Sequence, residues 1–432
     1  MSHSTPFYYF LTSVTLSALA TVFIRFGVAW HILQQTQSPS LVAIVIGSSA
    51  LLEIYSKPLL APLADYFNRL RLFWLCVLLS TLFGLLLSLT AWVLPDAVAL
   101  LAVLLGVLSL VAALRDPTSA AISPSLAPPG KLTETQSMRS TANAVVAIVG
   151  PMAAGVSVTG LGTATTLVIS AGLTALSFLL ALRIQAVTPA AAAAAPSWAT
   201  YRKTWHLRTL QGLRSVLQNR TERNFAFSAA LLNIGLFSFA TVVLPVWVST
   251  TLRGTAINMA IMELGFGLGL LLGSVLLARV LNERLGRYAA LVLATVLIGS
   301  AYLVMALLTA TWLISICMAL AGAGISVFFI NTTTLRAAAT PPQYRARTMA
   351  GVSFLACCMY PLVTPAFGYL MEHFDARSSV ALCGVFVLLA ALVLLFNQDA
   401  RKLLSQPNEN IMGHYKQLYP KAFADDVEYS KS

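Results

Sequence analysis

The chain has 432 residues, of which 58% are hydrophobic and only 10% are charged. A soluble globular domain carries roughly 25% charged residues, so this composition leaves too little polar surface to cover a water-soluble fold. Lipid is the alternative solvent, and only helices and closed barrels satisfy every backbone polar group there. A net charge of +12 fits either a nucleic-acid partner or a membrane topology signal, and the distribution of the basic residues along the chain distinguishes the two.

Apolar segments of roughly 18 to 28 residues recur along the chain, which is the length that a tilted spanning helix needs. A barrel would instead show alternating strands of about ten residues. The sequence therefore predicts an all-α membrane protein of about twelve transmembrane helices. The predicted spans are residues 7–34, 39–66, 70–93, 97–122, 140–160, 164–186, 225–250, 255–282, 288–310, 312–336, 349–371 and 378–397. The first lacks a basic n-region and a cleavage site, so we interpret it as a retained span.

Residues 187–224 interrupt the apolar pattern with an alanine run between two prolines, followed by a basic stretch. We interpret them as a cytoplasmic linker, which divides the spans into six and six. The predicted domains are an N-terminal bundle (1–186), the linker, a C-terminal bundle (225–397) and a cytoplasmic tail (398–432).

The two halves also share sequence features. Asp65 to Arg69 after predicted span 2 has the same acid-to-arginine spacing as Glu283 to Arg287 after predicted span 8. A Pro-Pro pair follows predicted spans 4 and 10, and the two features recur at offsets of 218 and 213 residues. An internal repeat of this size is common in transporters, where two similar bundles move around a midplane site. The pattern predicts two six-helix pseudo-repeats.

Basic residues are strongly asymmetric across the predicted membrane. With both termini cytoplasmic, the external loops hold only Arg253 and Arg377, and Arg25, Lys57 and Arg115 lie within spans. The rest of the 27 Lys and Arg fall on the cytoplasmic side. This is the positive-inside pattern, so we interpret the basic excess as a topology signal assisted by anionic lipid, with no nucleic-acid partner.

Ionisable residues within spans are the most informative ones, because each costs about 2.5–3.5 kcal/mol at the centre of a bilayer on insertion scales. Such side chains usually face a cavity or a partner. The six are Arg25, Glu53, Lys57, Arg115, Asp116 and Glu263.

Glu53 and Lys57 are four residues apart and share a helix face. Counting along antiparallel spans 1 and 2 places Arg25 at a depth similar to that of Glu53. One interpretation is a coupling site in which Glu53 takes up protons while Arg25 and Lys57 attract an anionic substrate. The other is a fixed ion network that locks the two spans together.

Each of the other candidate residues has two possible interpretations. Arg115 and Asp116 either join Asp65 in a gate or neutralise each other. Glu263 is a second candidate proton carrier, or a structural polar contact. Tyr55 and Asn331 are candidate cavity residues, although aromatics also anchor at interfaces and amides also join helices.

Other chemistry has little support in the sequence. The five cysteines lie inside apolar segments without the spacing of a metal site. Gly130-Lys131 lacks the first glycine and the following Ser or Thr of a phosphate-binding loop, and no hydrolase motif is present. We therefore expect no cofactor, no metal and no enzyme activity.

The segment from Ala61 to Arg71 resembles a loop motif of the major facilitator superfamily, G-x-x-x-D-R-x-G-R-R. Asp65, Arg69 and Arg71 match it, whereas Ala61, Tyr66, Asn68 and Leu70 depart from it. Its Asp-x-x-Asn-Arg variant is similar to the branch of macrolide-efflux proteins and the enterobactin exporter. The resemblance implies that Asp65 accepts hydrogen bonds from a neighbouring helix N-terminus and so closes a gate. The alternative is that these are ordinary loop charges that set topology.

Two further segments carry the resemblance. The stretch from Gly150-Pro151 to Ala154-Gly155 looks like the Gly-Pro motif associated with antiporters, with a kink at Gly150 and Pro151. Tyr344-Arg345-Ala346-Arg347 resembles the corresponding loop of the second half, where Glu283 and Arg287 are the matching gate candidates.

Together, the residues and the resemblance predict a secondary transporter of the bacterial inner membrane. The leading expectation is proton-coupled export of a small organic molecule, a siderophore or drug with anionic groups. Import of such a compound by proton symport is the alternative. A non-transporting receptor or scaffold is the alternative from a different functional class.

Overall fold

The computed structural model describes residues 5–60, 63, 67–126, 132–184, 212–341, 344–406 and 411–423. Within these ranges the chain is helical and contains no strand, as expected for a backbone that must satisfy its own hydrogen bonds in lipid. The described residues include 12 helices that are long and apolar enough to cross a membrane. The predicted fold class is confirmed.

The spans follow one another in two sets of six. The N-terminal half contains Thr5–Thr36, Pro39–Leu60, Arg69–Val93, Val98–Ala120, Thr141–Leu161 and Thr163–Leu182, which we call spans 1 to 6. The C-terminal half contains Arg220–Thr250, Ala256–Leu285, Arg287–Met305, Thr311–Ala339, Thr348–His373 and Ala376–Leu395, which we call spans 7 to 12.

Several predicted boundaries differ from the structure; the ninth predicted span continued to residue 310, but the helix ends at Met305. The second predicted span continued to residue 66; the described part of this helix reaches Leu60, and residues 61, 62 and 64–66 lie outside the described residues. Span 7 begins at Arg220, within the predicted linker, because the Asn219 side chain caps it by accepting a hydrogen bond from the Glu222 backbone N–H at 3.1 Å. Most of the predicted linker, residues 187–211, lies outside the described residues.

Small residues bring the helices of each half close together. In the N-terminal half, the Ser13 hydroxyl lies 2.9 Å from the Ser177 hydroxyl, which joins spans 1 and 6. In the C-terminal half, Gly265, Gly269 and Gly273 recur on one face of span 8 against span 10, and a Cβ added at Gly269 would lie 2.0 Å from the Ala319 carbonyl oxygen. Helices in lipid associate through such close packing because no hydrophobic effect drives them together.

The side of the bundle where span 1 begins and span 12 ends is called the terminal side, and the opposite side is called the distal side. The two halves meet near the distal ends of spans 2 and 11, where Gly368 packs on Ala43. They also meet where span 5 packs on span 8, with Gly155 against Ala256 and Ala260. The structure is therefore closed on its distal side.

The chain after span 12 packs back onto the C-terminal half. Helix Gln398–Leu404 follows span 12, and helix His414–Leu418 presents Tyr415, which is fully buried. The Tyr415 hydroxyl donates to Glu222 Oε1 at 2.9 Å, and Arg336 Nε donates to Glu222 Oε2 at 2.7 Å. We call Glu222, Arg336 and Tyr415 the tail cluster. It ties the tail to the terminal ends of spans 7 and 10.

Candidate functional site

Three of the predicted site residues form one ion network at the facing surfaces of spans 1 and 2. Arg25 donates a hydrogen bond from Nη2 to Glu53 Oε2. Lys57 Nζ donates to the other carboxylate oxygen, Oε1, at 2.8 Å. Both oxygens of Glu53 are therefore held by cations, and the carboxylate is arranged as an anion in this state.

Span 4 extends this network. Asp116 Oδ2 lies 3.5 Å from Lys57 Nζ, and Arg115 Nη2 donates to Asp116 Oδ1 at 3.2 Å. We call Arg25, Glu53, Lys57, Arg115 and Asp116 the charged cluster. Three cations and two acids leave one positive charge uncompensated within the cluster. Arg115 and Asp116 therefore do not only neutralise each other, because Asp116 also pairs with the Lys57 ammonium.

Solvent reaches the cations of the cluster more readily than the acid between them. The side chains of Arg25 and Lys57 are 43% and 39% exposed, whereas that of Glu53 is 11% exposed. Arg25 lies deep within span 1, so this exposure indicates a cavity between the halves. Because the halves meet on the distal side, we infer that this cavity opens toward the terminal side.

The C-terminal half presents an aromatic surface to the cluster. Tyr360 lies near Arg25, and its ring stacks on that of Phe237 with centroids 4.9 Å apart. Tyr55 of span 2 meets the Phe354 ring edge-on at 5.6 Å. The cavity thus combines a cationic surface on one half with aromatic rings on the other, and sequence reasoning missed both Phe237 and Tyr360.

A break in span 11 positions this aromatic surface. Its first helix ends at Cys357 and the second begins at Tyr360, where Pro361 supplies no backbone N–H. The Cys358 carbonyl accepts a hydrogen bond from the Tyr55 hydroxyl at 3.0 Å, and the Ala356 carbonyl accepts one from Asn233 Nδ2 at 2.9 Å. Side chains of both halves therefore satisfy the carbonyls at the break.

Two candidate residues lie apart from the charged cluster. Asn331 is 1% exposed and donates to Asn282 Oδ1 at 3.0 Å, which joins spans 10 and 8. Glu263 has no hydrogen-bond or ion-pair partner among the described residues, and Tyr302 of span 9 lies near it. The structure places Glu263 in the C-terminal half and does not bring it to Glu53.

The candidate gating residues are spread over the terminal side. Asp65 lies outside the described residues, so its role stays a prediction. Arg69 and Arg71 are exposed at the start of span 3. Asn68, which departs from the family motif, caps that helix by accepting hydrogen bonds from the Leu70 and Arg71 backbone N–H groups at 3.1 Å.

The matching residues of the second half contact their own half. Glu283 accepts a hydrogen bond from Arg279 Nε at 2.9 Å, in an exposed pair on one helix. Arg287 Nε donates to the Leu404 carbonyl at 3.1 Å, and Arg287 Nη2 donates to that of Gln406. Arg287 therefore holds the beginning of the tail against span 9.

The Gly-Pro segment packs against both halves. Pro151 lies inside a continuous helix, and a Cβ added at Gly150 would lie 3.3 Å from Val22 of span 1. Gly155, one turn further, faces span 8 of the other half, where an added Cβ would lie 2.7 Å from the Ala256 carbonyl oxygen. The segment thus supports close approach within one half and between the two.

A carboxylate missed by the sequence analysis joins the halves on the distal side. Glu372 Oε1 at the end of span 11 accepts hydrogen bonds from Ser38 Oγ at 2.5 Å and from the Ser40 backbone N–H at 3.1 Å. Span 2 begins there, so the carboxylate lies at a helix N-terminus, where the macrodipole favours an anion. Glu372 therefore stabilises the distally closed state.

Replacing Glu372 by alanine is expected to shift the chain toward a distally open state by about 1–3 kcal/mol, the cost of losing a charge-assisted contact. The shift is measured as the distance between spin labels at Gln35 and Phe374, in a chain whose own five cysteines are replaced. Asp375→Ala is the control, because the nearest cation to that carboxylate is Arg377 of the same half. An unchanged distance distribution in Glu372→Ala would contradict the prediction.

Two bundles of six spans enclosing a charged cavity, closed at one end, define a secondary transporter that alternates access around a central site. The chain matches the Major Facilitator Superfamily over residues 10–280 and 226–418, and it belongs to that family. It is a carrier and not an enzyme. No curated protein sequence matches the chain.

Solved structures with this fold cover nearly the whole chain. A POT family transporter in complex with 5-aminolevulinic acid aligns with a TM-score of 0.73 and 12% identity, over 92% of this chain and 96% of that one. The nucleoside transporter NupG (D323A mutant) aligns at 0.68 and 14%, over 91% and 100%. A bacterial metal transporter aligns at 0.62 and 20%, over 92% and 100%. At these identities the likeness establishes the fold alone.

Among the described residues, no group of three or more His, Cys, Asp or Glu side chains is arranged to hold a metal ion.

Proposed function

We propose that this protein is a proton-coupled exporter of a small organic anion, a siderophore or a drug, in the bacterial inner membrane. The basic residues on the terminal side support an orientation with both termini in the cytoplasm. The cavity would then open to the cytoplasm, which is the state in which an exporter loads its substrate.

The observation that carries the proposal is the pairing of one carboxylate, Glu53, with two cations from different positions of the cavity wall. Protonation of Glu53 would remove its charge, so Arg25 and Lys57 would be left with an attraction for another anion. A substrate carboxylate could replace Glu53 as the partner of these cations. The positive surplus of the charged cluster favours an anionic substrate over a cationic one.

The aromatic surface narrows the substrate class. Phe237 and Tyr360 present stacked rings opposite the cations, and stacked aromatics offer a surface for a planar group. A substrate with a negative group and a planar or aromatic part would contact both surfaces at once. This chemistry is consistent with the siderophore or drug class that the resemblance to the macrolide-efflux and enterobactin-exporter branch suggests.

Import by proton symport is the second candidate, and the same pairing favours it. If an anion binds to the cations that Glu53 now holds, it favours the protonated form of Glu53, so the proton and the anion bind together. Co-binding of this kind is the requirement for symport. The Gly150-Pro151 resemblance favours export, so the direction of movement is the point that the experiment has to separate.

The test uses Glu53→Gln in cells and in proteoliposomes, with a candidate siderophore and a panel of anionic dyes, each with and without a protonophore. We expect the protonophore and the substitution each to reduce transport about tenfold or more, equivalent to about 1.4 kcal/mol. Asp96→Asn is the matched control, because it removes an exposed acid in the loop between spans 3 and 4 to which no role in transport is assigned. Thermal stability of each purified variant separates a transport defect from a folding defect.

Expulsion from cells that requires the proton gradient would support the exporter, and gradient-driven accumulation would support the symporter. Transport that is equal in wild type and Glu53→Gln would make Glu53 a structural residue. The absence of transport for every compound would favour a receptor or scaffold, the candidate from a different class.

A further inference from the structure

A second pocket lies on the terminal side of the C-terminal half, away from the central cavity. It has a volume of about 940 Å³ and lies among the ends of spans 8, 9 and 12 and the helix Gln398–Leu404. No residue of the charged cluster lines it. The function proposed above does not use this pocket.

Among the residues that the structure describes, the charged ones that line the pocket are Arg287 and Arg401, and none of the described lining residues is an acid. The nearest acids in sequence are engaged elsewhere. Glu283 accepts a hydrogen bond from Arg279, and Asp399 accepts one from the Tyr419 hydroxyl at 3.0 Å. The pocket therefore presents a net positive charge to an incoming group.

Asn282, Ser405 and Gln406 line a polar part of the pocket, and the rest of its wall is apolar. Leu285, Leu293 and Leu395 line it, and all three are exposed on the outer surface of the spans. Their spans lie within the hydrophobic part of the bundle, whereas Arg401 belongs to the helix that follows span 12. The pocket thus joins the level of lipid headgroups to the level of acyl chains.

We propose that this pocket binds one anionic phospholipid. Its phosphate contacts Arg401, and its acyl chains lie along Leu293 and Leu395. Basic pockets between transmembrane helices bind anionic headgroups because guanidinium groups recognise phosphate oxygens and the helices supply an apolar wall for the chains. A free phosphate would fill the charged end and leave the apolar walls unpaired, so a lipid matches the whole surface.

Arg287 and Arg401 contribute differently. Arg287 donates to the carbonyls of Leu404 and Gln406, so it holds the rim of the pocket in place. Arg401 is exposed. Arg401 is therefore the residue to change, because Arg401→Gln removes the charge without releasing the tail from span 9.

The test is native mass spectrometry of the purified full chain, with phosphatidylglycerol and phosphatidylcholine of identical acyl chains as the probes. Wild type is expected to retain phosphatidylglycerol in preference, and Arg401→Gln to lower its occupancy roughly fivefold, the effect expected of one basic residue near a lipid surface. Lys402→Gln is the matched control, since it removes the same charge one residue away at a side chain that does not line the pocket.

Equal losses in Arg401→Gln and Lys402→Gln would overturn the proposal in favour of a diffuse attraction. Inorganic phosphate that displaces phosphatidylglycerol at equal concentration would show that the apolar walls contribute nothing, and would also overturn it. Equal binding of the two lipids by wild type would do the same.

Discussion

Replacing Arg336 by glutamine is expected to lower the free energy of unfolding by about 3–5 kcal/mol, because it leaves the Glu222 carboxylate buried without its cation. The Glu222 side chain is fully buried and that of Arg336 is 9% exposed, so water cannot replace the lost partner. The effect is measured by denaturant titration of the purified protein in detergent.

The chain offers a matched control in an ion pair of similar geometry at the surface. Arg279 Nε lies 2.9 Å from Glu283 Oε1, with side chains 77% and 63% exposed. Arg279→Gln is expected to leave the free energy of unfolding nearly unchanged, since exposed pairs contribute little. Equal losses in the two variants would mean that burial does not set the strength of the Arg336 contact.

A partial rescue separates charge from packing. Combining Arg336→Gln with Glu222→Gln removes the uncompensated anion and is expected to recover part of the lost stability. The Tyr415 hydroxyl would keep a polar partner in the double variant. Burial and the neighbouring Glu222 carboxylate raise the pKa of Tyr415 well above its ordinary value, so this hydroxyl stays a hydrogen-bond donor at neutral pH.

The tail cluster also shows what the sequence could not predict. Glu222 lies in a stretch that we interpreted as linker, and Arg336 and Tyr415 are 114 and 193 residues further along the chain. The sequence analysis counted Arg336 only among the cytoplasmic basic residues, and Tyr415 lay in the predicted tail. Only the folding of the tail onto spans 7 and 10 brings the three together, and no local pattern encodes that approach.

The N-terminal part of the candidate site was accessible to sequence reasoning because its geometry is nearly local. Glu53 and Lys57 share one helix face, and Arg25 lies on the preceding span at a depth that counting residues gives. The spans could be predicted for the same reason, because the length of an apolar segment is also a local property of the sequence. The aromatic surface was not accessible, because it depends on which spans of the two halves face each other and on a break in span 11.

Asn331 shows that the sequence can indicate a polar role for a residue without identifying the partner of that residue. An amide within a span needs a hydrogen-bond partner, but the sequence does not show whether a substrate in a cavity or a neighbouring helix provides that partner. The structure supplies Asn282 of span 8 as a partner. Asn68 is the converse case, because its departure from the family motif is explained by the local cap that it forms.

Replacing Gly155 by leucine is expected to stop transport by preventing the distal side from closing. A Cβ at this position would lie 2.5 Å from the Ala260 Cβ, closer than side chains approach, and the larger side chain would force spans 5 and 8 apart. Overpacking of a close contact costs about 1–3 kcal/mol, and here the cost falls on the distally closed state alone. The closed population would fall by roughly 5- to 150-fold relative to the open one.

Gly160→Leu is the matched control, since it makes the same change on the same helix where an added Cβ meets nothing within 4 Å. Substrate flux in proteoliposomes and the distal spin-label distance are measured on both variants. Gly155→Leu should lose flux and show the longer distance, whereas Gly160→Leu should match wild type in both. A Gly155→Leu variant that transports normally would mean that spans 5 and 8 separate without consequence, and that the contact of Gly368 with Ala43 accounts for distal closure by itself.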